Sequence, residues 1–276
     1  MPPKKLTDQK LDKLKNESYL RSKGVNPQEP YQLTIWSEAI RALPNDYARS
    51  ALFTVRNKTT KRVAMEQRPV FHLDKHINVY FTGVELRADD DELVWQQILH
   101  YARTVPLGNS IEFSLYGLLK DLGWNNSSRN YSRARLCISR LKACEVRIDN
   151  ERLSKGIAMS LIRHYEYASD GESSNKRYKV SIPEEFIMLF AGGTYAHITW
   201  ATYRDLTPMA RRLYDYAASH KEPWPLNVMD FHRLCSSECA EGRSWNQQVR
   251  RACAELMELK LVKRAWLEKG HIRFER

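Results

Sequence analysis

One order of segments occurs twice along the chain, and it constrains the fold more than any single motif does. In each copy a short helix leads through a polar turn to a longer arginine-rich helix, and strand-like segments follow. The long helices are predicted over residues 129–144 and 243–259, where apolar side chains recur with helical spacing. This is the order of a winged helix-turn-helix. It predicts an α+β fold with two tandem winged-helix (helix-turn-helix) domains.

The first copy carries specific signals at its helix ends. Ser114 is placed as the N-cap of the short helix and Gly123 ends it, while residues 125–128 supply the turn. Four side chains of the long helix are predicted to face inward: Ala134, Cys137, Ile138 and Leu141. The strands expected after it are 145–148, 157–167 and 178–182, with turns at Lys155-Gly156 and Asp170-Gly171.

The second copy begins with a helix over 208–219, and a short helix, a turn and the second basic helix follow. Lys269-Gly270 marks the turn of the closing hairpin. We expect the two copies to separate between residues 192 and 205. The predicted organisation is a flexible charged arm (1–30), a first winged-helix domain (31–195) and a second one (196–276).

The charge of the chain indicates a polyanionic partner. Its 276 residues include 44 Lys and Arg against 33 Asp and Glu, a net charge of +11. Such an excess favours nucleic acid or an anionic membrane surface. No apolar run approaches the roughly 20 residues that cross a bilayer, and the first residues lack the apolar centre of a signal peptide. We therefore expect a soluble cytoplasmic protein with no membrane partner.

The outward side chains of the two basic helices are of the types that read base edges. Arginine pairs with guanine, and asparagine or glutamine pairs with adenine, in the major groove of double-stranded DNA. The predicted DNA-binding residues, which include an aromatic near the start of each helix, are Arg129, Asn130, Tyr131, Ser132, Arg133, Arg135, Ser139, Arg140, Lys142, Arg243, Trp245, Asn246, Gln247, Arg250 and Arg251. Wing tips near Arg152, Lys155 and Lys269 are expected to touch phosphate. The alternatives are solvated helix faces and plain surface turns.

Two clusters resemble metal sites, and we expect neither to bind a metal. His232, Cys235 and Cys239 have suitable spacing but no evident fourth ligand, so packing on one helix face is favoured. The carboxylates of residues 89–92 open a helix, where acidic residues complement the helix dipole. The rival interpretation is a carboxylate cluster for nuclease chemistry.

Motifs for catalysis are missing from the sequence. There is no GxxxxGKS/T phosphate loop, GxSxG elbow or HExxH pair, and His72 and His76 lack the spacing of a nicking enzyme's metal pair. The tyrosines do not reproduce the pattern of a recombinase. We expect no catalytic residue, no metal and no cofactor, hence a protein that is not an enzyme.

Several segments are similar to the TrfA family of plasmid replication initiators. They are Leu43-Pro-Asn-Asp46, residues 49–58, Thr82-Gly-Val-Glu-Leu86, residues 95–100, Arg129-Asn-Tyr-Ser-Arg133 and Ser219-His-Lys-Glu-Pro223. The resemblance implies a protein that binds direct repeats (iterons) in a plasmid origin, promotes opening of an AT-rich segment and recruits the host replicative helicase. It also implies a monomer–dimer equilibrium and association with plasmid DNA in a bacterial cytoplasm.

A short segment also resembles the peptide with which replication proteins of this family bind the sliding clamp. Its expected clamp-binding residues are Gln32, Leu33, Ile35 and Trp36, with Ile35 and Trp36 in place of the usual Leu and Phe. The alternative is that the apolar members belong to the core of the first domain. Two other functions stay open: a winged-helix transcription repressor without initiation activity, and an origin-nicking enzyme.

Overall fold

The structure is a computed structural model, and it describes residues 17, 18, 20–22, 26, 33, 36–151, 155–169, 176–186 and 195–275. The helices are α1 Asn45–Ala48, α2 Asp91–Ala102, α3 Leu115–Asp121, α4 Ser128–Lys142, α5 Trp200–Asp205, α6 Pro208–Ala218, α7 Val228–Leu234 and α8 Arg243–Glu258. The strands are β1 Ile40–Pro44, β2 Phe53–Thr54, β3 Ala64–Val70, β4 Ile77–Val84, β5 Leu86–Arg87, β6 Ser110–Ser114, β7 Glu145–Asn150, β8 Lys155–Met159, β9 His164–Ser169, β10 Lys176–Ser181, β11 Tyr195–Thr199, β12 Leu226–Asn227, β13 Arg264–Glu268 and β14 His271–Glu275.

Two parts of the chain share one topology. The first three-helix unit consists of α2, β6, α3, α4, β9 and β10, and the second three-helix unit consists of α6, β12, α7, α8, β13 and β14. Each has a three-stranded antiparallel sheet in which the strand before the short helix pairs with the last strand. The sheet orders are β6-β10-β9 and β12-β14-β13. The repeat predicted from the sequence is therefore present in the order and in the pairing of the elements.

The first unit differs from the second by an inserted hairpin. Strands β7 and β8 follow α4 directly, but they join β3 and β4 in a four-stranded sheet of order β3-β4-β7-β8. The sheet of the first unit is completed instead by β9 and β10, so the interpretation of 157–167 as one strand is wrong. Lys155 consequently lies in β8 rather than at a wing tip. Arg152 and the turn at 170–171 lie outside the described residues.

Polar side chains fix where the helices begin. The hydroxyl of Ser114 accepts a hydrogen bond from the Gly117 amide at the start of α3, and Ser127 does the same for the Asn130 amide at the start of α4. Gly123, with φ of 70°, ends the short helix in the left-handed region that favours glycine. These caps set the turn between α3 and α4 that the sequence predicted.

A continuous apolar core runs beneath both units. The four inward residues predicted for α4 are all fully buried, and the corresponding stripe of α8 is formed by Val249, Ala252, Cys253 and Leu256. Packing of α4 against α2, and of α8 against α6, places the opposite face of each basic helix toward solvent. The fold thereby determines which side chains of α4 and α8 are accessible.

The two units are joined by polar contacts as well as by the core. Strand β1 pairs antiparallel with β11, so the predicted boundary at residues 195–196 falls inside a strand. Arg212 on α6 is completely buried and bonds Glu92 on α2 at 3.0 Å and Asp215 at 2.8 Å. It also donates to the Ser50 carbonyl at 2.6 Å. A buried guanidinium with several partners holds α6 against the first unit.

The N-terminal arm predicted over residues 1–30 lies mostly outside the described residues. Leu20, which is described, is buried at 8% exposure. In the part of the chain that the structure describes, no helix is long and apolar enough to span a bilayer.

Candidate nucleic-acid interface

The solvent face of α4 presents a polar and cationic stripe. Arg129, Ser132, Arg135 and Ser139 are exposed and follow one another at helical spacing. Arg135 donates to the Ser132 hydroxyl at 3.0 Å, which orders it along the helix surface. No acidic side chain in the described residues lies within 4.0 Å of Arg129, Arg135 or Lys142. Leu136, 58% exposed, adds an apolar contact point on the same face.

Two arginines on the flank of α4 have partners within the protein. Arg133 bonds Asp89 at 2.6 Å and lies 4.2 Å from the centre of the Trp124 ring. Arg140 bonds Asp91 at 2.7 Å. The guanidinium groups of Arg133 and Arg140 are thus held by carboxylates of the protein itself, and DNA contact by these two residues stays a prediction.

The carboxylates at the start of α2 are capping groups held by arginines. The side chain of Asp90 accepts a hydrogen bond from the Asp91 amide at 2.8 Å, so the capping interpretation is confirmed. Arg62 bonds Asp90 at 2.7 Å and Asp91 at 2.6 Å. Asp90, Asp91 and Cys137 lie close enough together to suggest a metal site. The guanidinium groups of Arg62 and Arg140 already supply the positive charge that these carboxylates need.

Burial and charge act differently on the two carboxyl groups. Burial, together with the neighbouring charge of Asp90, raises the pKa of Asp91 to about 6. Burial also raises the pKa of Asp90, but the charges of Arg62, Arg140 and Arg133 outweigh it and leave that pKa below its ordinary value. Asp90 and Asp91, together with Asp89, hold the two arginines on the flank of α4 through ion pairs.

The remaining predicted residues of α4 lie near its beginning. The Asn130 amide group donates to the Asn125 side chain at 2.6 Å and to the Asn125 carbonyl at 3.0 Å, which ties the helix to the preceding turn. Tyr131 is half-buried against the core. Asn130 and Tyr131 therefore support the turn as well as bordering the solvent face.

The arginines on the solvent face of α8, unlike those on the flank of α4, are not held by carboxylates among the described residues. Arg243, Gln247, Arg250 and Arg251 are exposed, and Asn246 is half-buried. Among the described residues, no carboxylate lies within 4.0 Å of any of these three arginines. When the buried stripes of the two helices are aligned, Gln248 and Glu255 of α8 occupy the positions that Arg133 and Arg140 occupy on α4.

The prediction that Trp245 contacts DNA is wrong. Its side chain is completely buried, its ring packs edge-on to His232 with centroids 4.7 Å apart, and its indole N–H donates to the Val228 carbonyl at 3.1 Å. A side chain in this position anchors α8 to α7 and does not reach a ligand on the surface.

The prediction that His232, Cys235 and Cys239 share one buried helix face is wrong, because α7 ends at Leu234 and Cys239 lies half-buried in the turn before α8. Cys235 is fully buried, and burial raises the pKa of its thiol. His232 Nε2 lies 2.9 Å from the carbonyl oxygen of Cys239, a backbone contact that fixes the turn before α8. Within the described residues, His232, Cys235 and Cys239 do not bring their ligand atoms close enough together to hold a metal ion.

The segment predicted to bind the sliding clamp is partly built into the core. Leu33 is 1% exposed and Trp36 is 6% exposed. The Trp36 indole N–H donates to His100 Nδ1 at 3.0 Å, and Arg103 donates to the Trp36 carbonyl at 3.1 Å. Their prediction as accessible clamp anchors is wrong for this conformation, and the alternative of core packing holds for both. Gln32 and Ile35 lie outside the described residues.

One surface beside α4 was not predicted from the sequence. An open cleft of about 620 Å³, here called the α4 cleft, lies between α4, the start of α2 and the loop of residues 57–62. Six of its lining side chains are cationic: Lys58, Arg62, Arg87, Arg129, Arg133 and Arg140. Two are acidic, Asp89 and Asp90. The only sequence signal was the cluster of Lys and Arg in residues 56–62, which lies far from the basic helices along the chain.

Comparisons with known proteins identify the family. The family profile described as "TrfA protein" matches residues 17–276. The chain belongs to the TrfA family. It is 43% identical over 237 residues to the plasmid replication initiator protein TrfA of Escherichia coli, a match that covers 86% of this chain and 62% of the relative. The chain thus spans less than two thirds of the length of that relative.

Two solved structures share the fold. One, of domains 2 and 3 of RctB as a selenomethionine derivative, has a TM-score of 0.57 and 13% identity, and covers 85% of this chain and 99% of that one. A second structure of RctB domains 2–3 has a TM-score of 0.53 and 13% identity, and covers 79% of this chain and 92% of that one. At this identity the likeness concerns the fold alone.

Proposed function

We propose that this TrfA-family chain is a plasmid replication initiator that holds origin DNA with two winged helices. The sheet orders β6-β10-β9 and β12-β14-β13, each completed by the strand before the short helix, support the winged-helix assignment for both units. In such a domain the helix after the turn enters the major groove. That helix is α4 in the first unit and α8 in the second.

The observation that carries the proposal is the distribution of side chains around the two helices. Each helix buries an apolar stripe and exposes a face rich in arginine, together with serine on α4 and glutamine on α8. Arginine and glutamine present the donor and acceptor patterns that pair with base edges, while the surrounding cations neutralise phosphate. The proposed contacts are Arg129, Ser132, Arg135, Ser139, Lys142, Arg243, Asn246, Gln247, Arg250 and Arg251. Lys269, exposed at the β13–β14 turn, is a proposed phosphate contact.

The steps beyond DNA binding rest on the family resemblance. They are recognition of direct repeats, opening of an AT-rich segment, recruitment of the host helicase and a monomer–dimer equilibrium. Clamp binding through residues 32–36 would require Leu33 and Trp36 to leave the core, at about 1.5–3 kcal/mol for each large apolar side chain. All of these steps use binding energy, and we propose no bond-making chemistry for the chain.

Two other functions use the same surface or a different chemistry. A repressor would bind DNA with the same helices but would not open the origin. A nicking enzyme would cut supercoiled origin DNA in the presence of a divalent metal. Strand-opening and nicking assays on supercoiled origin plasmid separate both from the proposal.

Binding to origin repeats tests the proposed function. Fluorescence anisotropy should show that wild-type protein prefers a duplex with the direct repeats of the origin over a scrambled duplex of equal length. Arg243→Ala with Arg250→Ala should weaken that preference, because base contacts are worth about 1–3 kcal/mol each. Lys75→Ala removes an exposed cation from the β3–β4 turn and serves as the control. Equal binding of both duplexes by the wild-type protein would refute the proposal.

A further inference from the structure

The loop of residues 57–62 lies outside both three-helix units, yet it forms one wall of the α4 cleft. Its sequence, Asn-Lys-Thr-Thr-Lys-Arg, combines three cations with two hydroxyls. We propose that this loop and the α4 cleft form a second DNA-contacting element, which holds the sugar-phosphate strand that flanks the segment read by α4. The inference rests on the proposed function and assigns a further surface to it.

The loop is fixed in place from beneath. Arg87 is buried, and its guanidinium donates to the Asn57 carbonyl at 3.0 Å and to the Thr60 carbonyl at 2.9 Å. Within the loop the Asn57 side chain accepts from the Thr59 amide at 3.1 Å, a local turn. A loop held by such contacts presents its side chains in a set arrangement, which reduces the entropy cost when a ligand binds.

Accessible cations remain on the loop after its internal pairs are made. Arg62 is engaged by Asp90 and Asp91, and Lys58 bonds Asp89 at 3.0 Å while its side chain stays 71% exposed. Lys61 is exposed and makes no ion pair within the described part of the chain. Lys58 and Lys61 can therefore reach a phosphate without breaking the contacts that hold the loop.

The cleft opens onto the face that is proposed to bind DNA. Arg129, Ser132 and Leu136 line the α4 cleft and also lie on the exposed face of α4. A duplex seated on that face therefore brings one of its strands along the mouth of the cleft. Of the six lining cations, Arg62, Arg133 and Arg140 are held by the carboxylates of residues 89–91 and Arg87 is buried, so Lys58 and Arg129 are the exposed cations that the cleft offers. A phosphodiester is the chemistry that fits such a surface, because contacts to phosphate carry affinity without reading sequence.

The test measures how DNA affinity depends on salt for the Lys58→Ala, Lys61→Ala double variant. The probes are a fluorescent origin-repeat duplex and a scrambled duplex, titrated between about 50 and 200 mM salt. We expect the slope of log affinity against log salt to become shallower by about 0.9 for each phosphate that the variant no longer neutralises. Affinity for both duplexes should fall by the same factor, so that their ratio is preserved.

Controls keep the outcome clear. Lys75→Ala should leave the slope unchanged, and the single variant Lys61→Ala should show part of the effect without disturbing the Lys58–Asp89 pair. Urea unfolding confirms that the variants are folded. An unchanged slope in the double variant would overturn the inference, as would a changed ratio between the duplexes. If wild-type protein does not prefer the origin duplex, the proposed function itself fails.

Discussion

The two basic helices occupy equivalent places in the same topology, but they are held differently. Arg133 and Arg140 on α4 are bound by carboxylates at the start of α2, whereas Arg250 and Arg251 on α8 have no carboxylate partner among the described residues. Helix α4 is also followed by the inserted β7–β8 hairpin, and α8 leads directly into its own sheet. Arginine content alone therefore does not measure a DNA-binding surface, because part of it stabilises the fold.

Of the substitutions that test this difference between α4 and α8, Asp91→Ala should have the largest effect, a loss of folding stability. Asp91→Ala leaves Arg62 and Arg140 with one counter-charge fewer in a buried setting, and breaking a buried pair costs about 3–5 kcal/mol. Urea unfolding followed by circular dichroism measures the loss of stability. Asp205→Ala, which removes an exposed carboxylate 3.8 Å from Arg204, should cost less than about 0.5 kcal/mol. A loss below about 1 kcal/mol in Asp91→Ala would show that the cluster does not support α4.

Acid should weaken the first unit through His100. Burial lowers the pKa of His100 to about 4 from an ordinary value near 6.5. Between about pH 6.5 and pH 4 the imidazole of residue 100 is protonated in the unfolded chain but neutral in the folded protein. The free energy of unfolding therefore falls as the pH drops through this range, by up to about 3 kcal/mol. The pKa of Glu38, hydrogen-bonded to His100, is lowered, so its contribution also disappears as the pH falls.

The His100→Asn variant isolates that contribution. Asparagine keeps an acceptor for the Trp36 indole but does not titrate in this range. Unfolding free energies measured from pH 7 to pH 4 should decline less steeply in the variant than in the wild-type protein. Parallel curves for the two proteins would contradict the assignment.

Single arginines should separate the roles of the two helices. Arg250→Ala should weaken origin binding by about 1–3 kcal/mol and change stability by less than about 0.5 kcal/mol. Arg133→Ala should lower the stability more than the DNA affinity, because its guanidinium is paired with Asp89 and stacked on Trp124. Anisotropy and urea unfolding on the same two preparations give the comparison. A larger loss of DNA affinity in Arg133→Ala than in Arg250→Ala would contradict it.

Trp245→Phe should give the smallest effect. The variant keeps an aromatic ring but removes the indole N–H that bonds the Val228 carbonyl and leaves a small cavity, so stability should fall by about 1–2 kcal/mol. DNA affinity should stay unchanged, because the side chain is completely buried. A loss of DNA affinity with unchanged stability would indicate that Trp245 contacts DNA after all.

The sequence predicted the local elements better than their long-range partners. Helical spacing and the caps at Ser114 and Gly123 were enough to place α3 and α4, since both signals lie within a few residues. Strands β7 and β10 were found, but β8 and β9 were predicted as one strand, and the pairing was missed because nothing local tells β7 that it will join β4 rather than β10. The same limit applies to Arg133 and Arg140, whose partners lie more than 40 residues earlier in the chain.

The most direct measurement of the central claim is hydroxyl-radical footprinting of the chain on origin-repeat DNA. If both helices occupy the major groove of one duplex, two protected segments should appear, with centres about one helical turn apart. Arg129→Ala with Arg135→Ala should remove one segment, and Arg243→Ala with Arg250→Ala should remove the other. A single protected segment that fades equally with either pair of substitutions would contradict the account.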